Sequence, residues 1–292
     1  MKRKFFQLSM ILLISTLLGL TACQKNSDSV EASKGRLVVK LTDAPFPIDL
    51  IDQALVTIDK IEIRKASDSL SNEEEGGVSP FIVLSQETQK FNLLNLRNGI
   101  TADLLAMTID TGKYDLIRLH VTESEMILKD GTSFKLKVPG NGIKIKIAPK
   151  LVVDGGVINE VLMDFDVSKS FAIQGNIKAK NGIKGFIFKP TVRAVSQQKS
   201  SVIRGKVVDV KGAPIAQASV ELIQGDSVLT SSLTNEAGEY FMIGIPAGTY
   251  KMECLKEGFN SPQATAVEVE LKHKTVQNFE LTAAQTTVQA NN

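Results

Sequence analysis

Strict alternation of apolar and polar residues recurs along this chain, and it constrains the fold more than any other feature. Phe134, Leu136 and Val138 alternate with Lys135 and Lys137; Ile143, Ile145 and Ile147 alternate with Lys144 and Lys146. Ile117, Leu119 and Val121 alternate with Arg118, His120 and Thr122. Successive side chains of a strand point to opposite faces, so a period of two marks strands with one buried face. Asp130-Gly131 between two such runs is a hairpin signal. From Val56 and Ile58 the apolar phase slips to Ile61 and Ile63, which predicts a bulge or bend. Only Thr101–Met107 reads as a short helix, with Thr101 as its cap. The fold class is all-β, expected as two β-sandwich domains in tandem.

The runs fall into two groups. The first unit spans 36–195 and the second 202–281, with a polar linker at 196–201 (SQQKSS) and a frayed, disordered tail at 282–292. Ala66–Pro80 is polar, acidic and aperiodic, and reads as an exposed loop. The second unit carries seven short runs separated by Gly, Pro and Asn turns, the spacing of a small sandwich.

The N-terminus reads as an address. Lys2, Arg3 and Lys4 precede an apolar stretch from Leu8 to Leu20, too short to span a bilayer, and Leu20-Thr21-Ala22-Cys23 follows at once. This order resembles the bacterial lipobox. The resemblance implies a signal peptide over 1–22 and acylation of Cys23; the polar, small residues that follow read as a flexible tether over 23–35. Gln24 after the cysteine implies the outer membrane, with the periplasmic or external face left open. Removing 1–22 takes three of the 34 basic residues and none of the 32 acidic ones, so the mature chain carries −1. That balance implies no nucleic-acid partner. Cys254 is then the one unmodified cysteine, expected in a core as a small hydrophobe.

Two further resemblances rest on named motifs. Gly205-Lys206-Val207-Val208-Asp209, Gly212-Ala213-Pro214-Ile215, Thr234-Asn235-Glu236-Ala237-Gly238-Glu239-Tyr240-Phe241 and Ile245-Pro246-Ala247-Gly248-Thr249-Tyr250 resemble the carboxypeptidase regulatory-like domain. This is a transthyretin-like sandwich among the carbohydrate-binding-like folds, and the resemblance implies a non-catalytic module for assembly, spacing or binding. Thr42-Asp43-Ala44-Pro45, Gly112-Lys113-Tyr114, Asp164-Phe165-Asp166 and Lys189-Pro190 make the first unit similar to a domain of unknown function common in bacterial lipoproteins. It implies no reaction.

Several constellations compete with plainer readings. His120-Val121-Thr122-Glu123 matches an HxxE zinc pair, but residues three apart on a strand point to opposite faces. Asp43, Asp164 and Asp166 are the candidates for calcium, which takes six to eight oxygens. The alternative places Asp164 and Asp166 in solvent and Asp43 in a turn. Lys135, Lys137, Lys144 and Lys146 form a basic strip if their strands pair, open to anionic glycan or lipid head groups. Ordinary edge-protecting lysines are the plainer reading, and the one adopted. Two histidines and no tryptophan leave little for acid–base chemistry or for an aromatic sugar platform. The expectation is a non-enzymatic, membrane-anchored envelope lipoprotein without cofactor, acting in binding or assembly with a glycan or an envelope protein. The alternatives are a cell-surface carbohydrate binder or adhesin and, behind it, a hydrolase.

Overall fold

The computed structural model describes residues 33–44, 50–66, 80–140, 142–176 and 182–284. The signal segment, Cys23, nearly all of the tether, the acidic insertion at 67–79 and residues 285–292 lie outside them. In the first domain the described strands are β1 (Lys34–Ala44), β2 (Ile51–Lys65), β3 (Phe81–Ser85), β4 (Gln89–Asn92), β5 (Ala102–Asp110) and β6 (Gly112–Leu128). They continue with β7 (Ser133–Leu136), β8 (Ile143–Val153), β9 (Ile158–Asp166), β10 (Phe171–Gly175), β11 (Ile183–Phe188) and β12 (Val192–Ser196).

These strands form two layers that share β8. One layer runs β3-β2-β6-β8, with β4 also on β2 and β7 also on β6; the other runs β8-β12-β9-β1-β5. Most of β8 pairs with β6, while its Ile147 pairs with Ala194 of β12. A strand that changes layer makes the corner of such a packing. The far edges also approach, where Gln89 Nε2 donates to the Leu104 carbonyl at 2.9 Å. Between the layers the apolar positions of β2 and β6 (Val56, Ile58, Ile63, Ile117, Leu119) meet those of β1 and β9 (Leu37, Val39, Met163, Phe165) in one core. Each such burial contributes about 1.5–3 kcal/mol. The separate β10–β11 ribbon adds Phe171 and Phe188, whose rings lie 4.9 Å apart.

Several local signals read as expected. The β2–β6 register shifts at Thr57/Ile58 and again at Ile58/Lys60, which returns Ile61 and Ile63 to the core after the phase slip. Asp130-Gly131 turns β6 into β7, with Gly131 at φ 85° and the Thr132 N–H donating to Asp130 Oδ1 at 2.9 Å. The short helix at Thr101–Met107 is overturned: this stretch is β5, paired antiparallel with β1 from Ala102 to Asp110. Ala102-Asp103-Leu104-Leu105-Ala106-Met107 has good helix formers. The edge of β1 offers hydrogen bonds and burial for Leu104 and Ile109, and tertiary pairing overrides propensity.

The second domain is a sandwich. Its strands are β13 (Ser201–Asp209), β14 (Ser219–Gln224), β15 (Ser227–Leu233), β16 (Glu239–Ile245), β17 (Gly248–Leu255), β18 (Phe259–Asn260), β19 (Thr265–Val269), β20 (Lys274–Val276) and β21 (Phe279–Ala283). One sheet runs β16-β13-β21-β18 with β20 on β13, and the other β15-β14-β17-β19. Seven runs become nine strands because the last run divides into β20 and β21 and the two-residue β18 is added. Val207, Val220, Tyr240, Met252 and Cys254 lie in its core. Gly205 is required by close approach: a Cβ there would stand 1.7 Å from the Gln277 carbonyl oxygen. The stretch expected as a polar linker is docked. Ser196, Ser200 and Ser201 are buried, and Ser201 Oγ donates to the Glu270 carbonyl at 2.5 Å.

Candidate functional site

β9 is buried on both faces, and this creates the site. Its inward residues Val161, Met163 and Phe165 fill the first core, while Leu162, Asp164 and Asp166 point outward and are buried as well. What covers them is the second domain, through β15 and β16. Leu162 and Val195 pack against Gly244, where a Cβ would stand 2.7 Å from Leu162 Cδ2 and 2.9 Å from Val195 Cγ1. Gly244 also has φ 67°, so both its conformation and its close contact exclude a side chain.

An ion pair between a buried carboxylate and a partly buried guanidinium sits at the centre of this junction. Arg193 of β12 lies opposite Asp164 in the antiparallel ladder, and its Nε donates to Asp164 Oδ2 at 2.8 Å. Arg193 Nη1 donates to the Gly244 carbonyl at 2.8 Å, and Thr230 Oγ1 donates across to Asp164 Oδ2 at 3.1 Å. Lys169 Nζ adds a bond to the Val228 carbonyl at 2.7 Å. Each charge of the pair is therefore satisfied by its partner and by the other domain, the condition under which a buried pair is tolerated.

Asp43 lies beside this pair, since β1 runs parallel to β9 with Thr42 opposite Asp164 and Asp43 opposite Phe165. It is 5 % exposed. Its Oδ1 accepts from the Val167 N–H at 3.2 Å, whereas its Oδ2 has no hydrogen-bond partner among the described residues. Asp43 borders a cavity of about 10 Å³, room for one water, lined also by Thr42, Asn98, Asp164 and Thr230. Burial, reinforced by the neighbouring Asp164 carboxylate, pushes the Asp43 pKa well above the ordinary carboxylate range. Asp166 caps the single turn α1 (Val167–Ser170), accepting from the Lys169 N–H at 3.0 Å, and pairs with Lys169 Nζ at 2.9 Å.

The three calcium candidates thus come close together, but Asp164 and Asp166 are not in solvent. Their oxygens are committed to Arg193, Thr230, the α1 cap and Lys169. Among the described residues no group of three His, Cys, Asp or Glu side chains is placed to hold a metal ion. Arg193 and Thr230 complete the site and carry no motif of their own. The signal for the covered face was Leu162, an apolar residue in phase with Asp164 and next to it on that face.

A buried carboxylate apart from this cluster is Glu62, 3 % exposed on the outer face of β2. Arg118 Nε donates to its Oε2 at 2.5 Å, Lys60 Nζ lies 2.8 Å from Oε1, and His120 Nε2 lies 2.9 Å from Oε2. These groups are neighbours because Lys60 pairs with His120 and Glu62 with Arg118 in the β2–β6 ladder. The Arg118 guanidinium also stacks 3.9 Å above the Phe81 ring. His120 therefore serves Glu62 and not Glu123, which is exposed. Hydrogen bonds, the one from Arg118 foremost, lower the Glu62 pKa to about 2. A lowered acid pKa gives stability that is complete above the ordinary value near 4.5 and is lost as pH falls toward 2. Glu62→Gln is expected to destabilise by about 1–3 kcal/mol at neutral pH. Chemical denaturation at stepped pH should show the gap to wild type closing below about pH 4; a constant gap would contradict the assignment.

The remaining reactive side chains have structural partners. Tyr114 and Tyr250 each donate a hydroxyl to the carbonyl four residues upstream, Asp110 and Pro246, both at 2.8 Å. Gly112-Lys113-Tyr114 and Gly248-Thr249-Tyr250 thus place a tyrosine corner in both domains. Tyr240 donates to the Gln277 carbonyl at 2.5 Å. Cys254 is fully buried and its thiol is pushed up to about 12, which makes it inert as a nucleophile.

Comparison with known proteins follows this division. The family described as Domain of unknown function (DUF4382) matches residues 34–190, and the Carboxypeptidase regulatory-like domain matches residues 202–282. No curated protein matches the chain. Among solved structures, 3-chlorocatechol 1,2-dioxygenase from Rhodococcus opacus 1CP is 17% identical over 30% of this chain and 60% of its own, with a TM-score of 0.26. The Bacillus anthracis TIE protein is 11% identical over 86% of this chain and 34% of its own, with a TM-score of 0.28. The chain spans less than two thirds of either, and likeness at these scores carries no functional argument. With more than half of its length matched, the chain belongs to the DUF4382 family and joins to that domain a carboxypeptidase regulatory-like β-sandwich.

Proposed function

We propose that this protein is a non-enzymatic, lipid-anchored envelope protein whose two β modules act as one rigid binding or assembly unit. The observation that carries the reading is the employment of its chemically capable side chains. Asp164 and Arg193 lock the junction, Glu62 and His120 brace the β2–β6 face, the tyrosine hydroxyls close corners, and the Cys254 thiol is buried. Groups so engaged hold the fold and are not poised for proton transfer or attack. The anchor rests on the lipobox-like Leu20-Thr21-Ala22-Cys23, since several acyl chains on one cysteine hold a protein at a bilayer.

The test is metabolic labelling with a palmitate analogue. Wild type is expected to take up the label and to fractionate with membranes, and Cys23→Ala to lose both. Equal labelling of the two would end the anchor reading. Turnover of any substrate that disappears in Asp164→Asn or Glu62→Gln, with the fold intact, would end the non-enzymatic one.

A further inference from the structure

The first domain segregates charge, and this bears on what its free face meets. On the outer side of β2, β6 and β8 stand Lys60, Arg64, Lys113, Arg118, Lys144 and Lys146; Glu62 and Asp115 pair within this row, and Glu123 and Glu125 lie on the same side farther along β6. Lys144 lies opposite Arg118 and Lys146 opposite Leu116 in the β6–β8 ladder, so the row is continuous across three strands. Lys113, Lys144 and Lys146 are exposed and have no carboxylate partner among the described residues. The row differs from the strip suggested by the sequence. Lys135 lies opposite Glu125, and β7 pairs with β6 rather than with β8. A net positive face on a mature chain of −1 is a concentration of charge in one place.

Its position supplies the partner. The second domain covers the outer side of β9 and β12 in the other layer and leaves this face uncovered. The chain enters the domain at the same rim, where the Thr111 N–H donates to the Ser33 carbonyl at 2.8 Å, two residues before Lys113. Gln24–Ser33 spans at most about 35 Å when fully extended. A domain tied to a bilayer by that length carries its basic rim within reach of the head groups.

We propose that the β2–β6–β8 face of the first domain docks on an anionic bilayer surface. The proposal rests on the lipid-anchor reading for its geometry. Phe81 beneath Arg118 and the exposed Ile82 and Val83 on the adjoining edge strand β3 give the face a fringe that suits an interface. Surface attraction of this kind sums over the basic residues within a Debye length and is screened by salt.

The test is co-sedimentation of the non-acylated mature chain with vesicles. Binding is expected to vesicles of phosphatidylglycerol mixed with phosphatidylcholine, to be weak on phosphatidylcholine alone, and to fall as salt rises. The triple variant Lys113→Glu, Lys144→Glu, Lys146→Glu is expected to weaken binding at least about tenfold while keeping the wild-type thermal transition. Single Lys→Gln variants serve if the triple variant unfolds, each expected to weaken binding severalfold. Equal affinity for both vesicle types, or an unchanged affinity in folded variants, would overturn the proposal. Binding to heparin without binding to either vesicle would overturn it in favour of a glycan partner. Failure here leaves the palmitate labelling of Cys23 untouched, and failure of that labelling leaves vesicle binding to be read by itself.

Discussion

Arg193→Ala is expected to destabilise the protein by about 3–5 kcal/mol and to uncouple its two domains. The cause is the loss of a partner, not of a contact area. Asp164 is buried, and Arg193 supplies its only ion pair among the described residues; Thr230 alone remains to donate to it. A desolvated carboxylate without a counter-charge is costly. The same substitution frees the Gly244 and Ile243 carbonyls, which accept from the guanidinium, so the second domain loses its grip on β12. Calorimetry should show one transition in wild type and two in Arg193→Ala. The double variant Asp164→Leu, Arg193→Leu should recover much of the lost stability, because no charge is then left buried. A single unshifted transition in Arg193→Ala would show that the pair does not hold the junction.

Asp43→Asn is expected to act in the opposite sense, stabilising the protein by about 1–3 kcal/mol at neutral pH. Asp43 is the costly member of the cluster. Its Oδ2 accepts no hydrogen bond from the described residues, and the Asp164 and Asp166 carboxylates lie near it. Its pKa is raised in the folded protein, so folding favours the protonated form. The stability it lends is whole below the ordinary carboxylate value and falls as pH rises, levelling off above its raised pKa. Asparagine does not titrate, keeps an oxygen for the Val167 N–H, and turns a donor toward the cavity that Asp164 also lines. The advantage of the variant should therefore grow from about pH 4 upward, the reverse of the Glu62→Gln trend. Denaturation midpoints for both variants across one pH series give the comparison; an advantage that does not change with pH would show that Asp43 is already ionised.

Much of the fold is legible because it is written in local periodicity. The alternations around Ile145 and Leu119 gave strands with the expected buried faces, that around Leu136 gave a shorter strand with a half-buried face, and the Val56–Ile61 slip gave a bulge. The turn at Asp130-Gly131 and the corners at Tyr114 and Tyr250 rest on residue types whose geometry admits few substitutes. What escaped was set at a distance. Helix formers at Ala102–Met107 yield to pairing with β1, a strand about sixty residues or more upstream. Asp164 and Asp166 do point away from the first core, as alternation requires, but a domain beginning near Ser201 covers them. Glu62 meets Arg118 across a ladder between positions 56 residues apart. No pattern within one strand encodes such a partner. Only the apolar Leu162, between Glu160 and Asp164 on that side, hinted that β9 had two buried faces.

The central claim is that the two modules form one rigid unit through Asp164, Arg193 and Thr230. Its most direct test is the distribution of distances between one spin label on each module, at Lys144→Cys on β8 and Lys251→Cys on β17, both exposed. Cys254 does not interfere, because its thiol is buried and little ionised at the pH of labelling. A single narrow distribution in the wild-type background that broadens in Arg193→Ala is the predicted result. A broad or multi-peaked distribution in the wild-type background would contradict it.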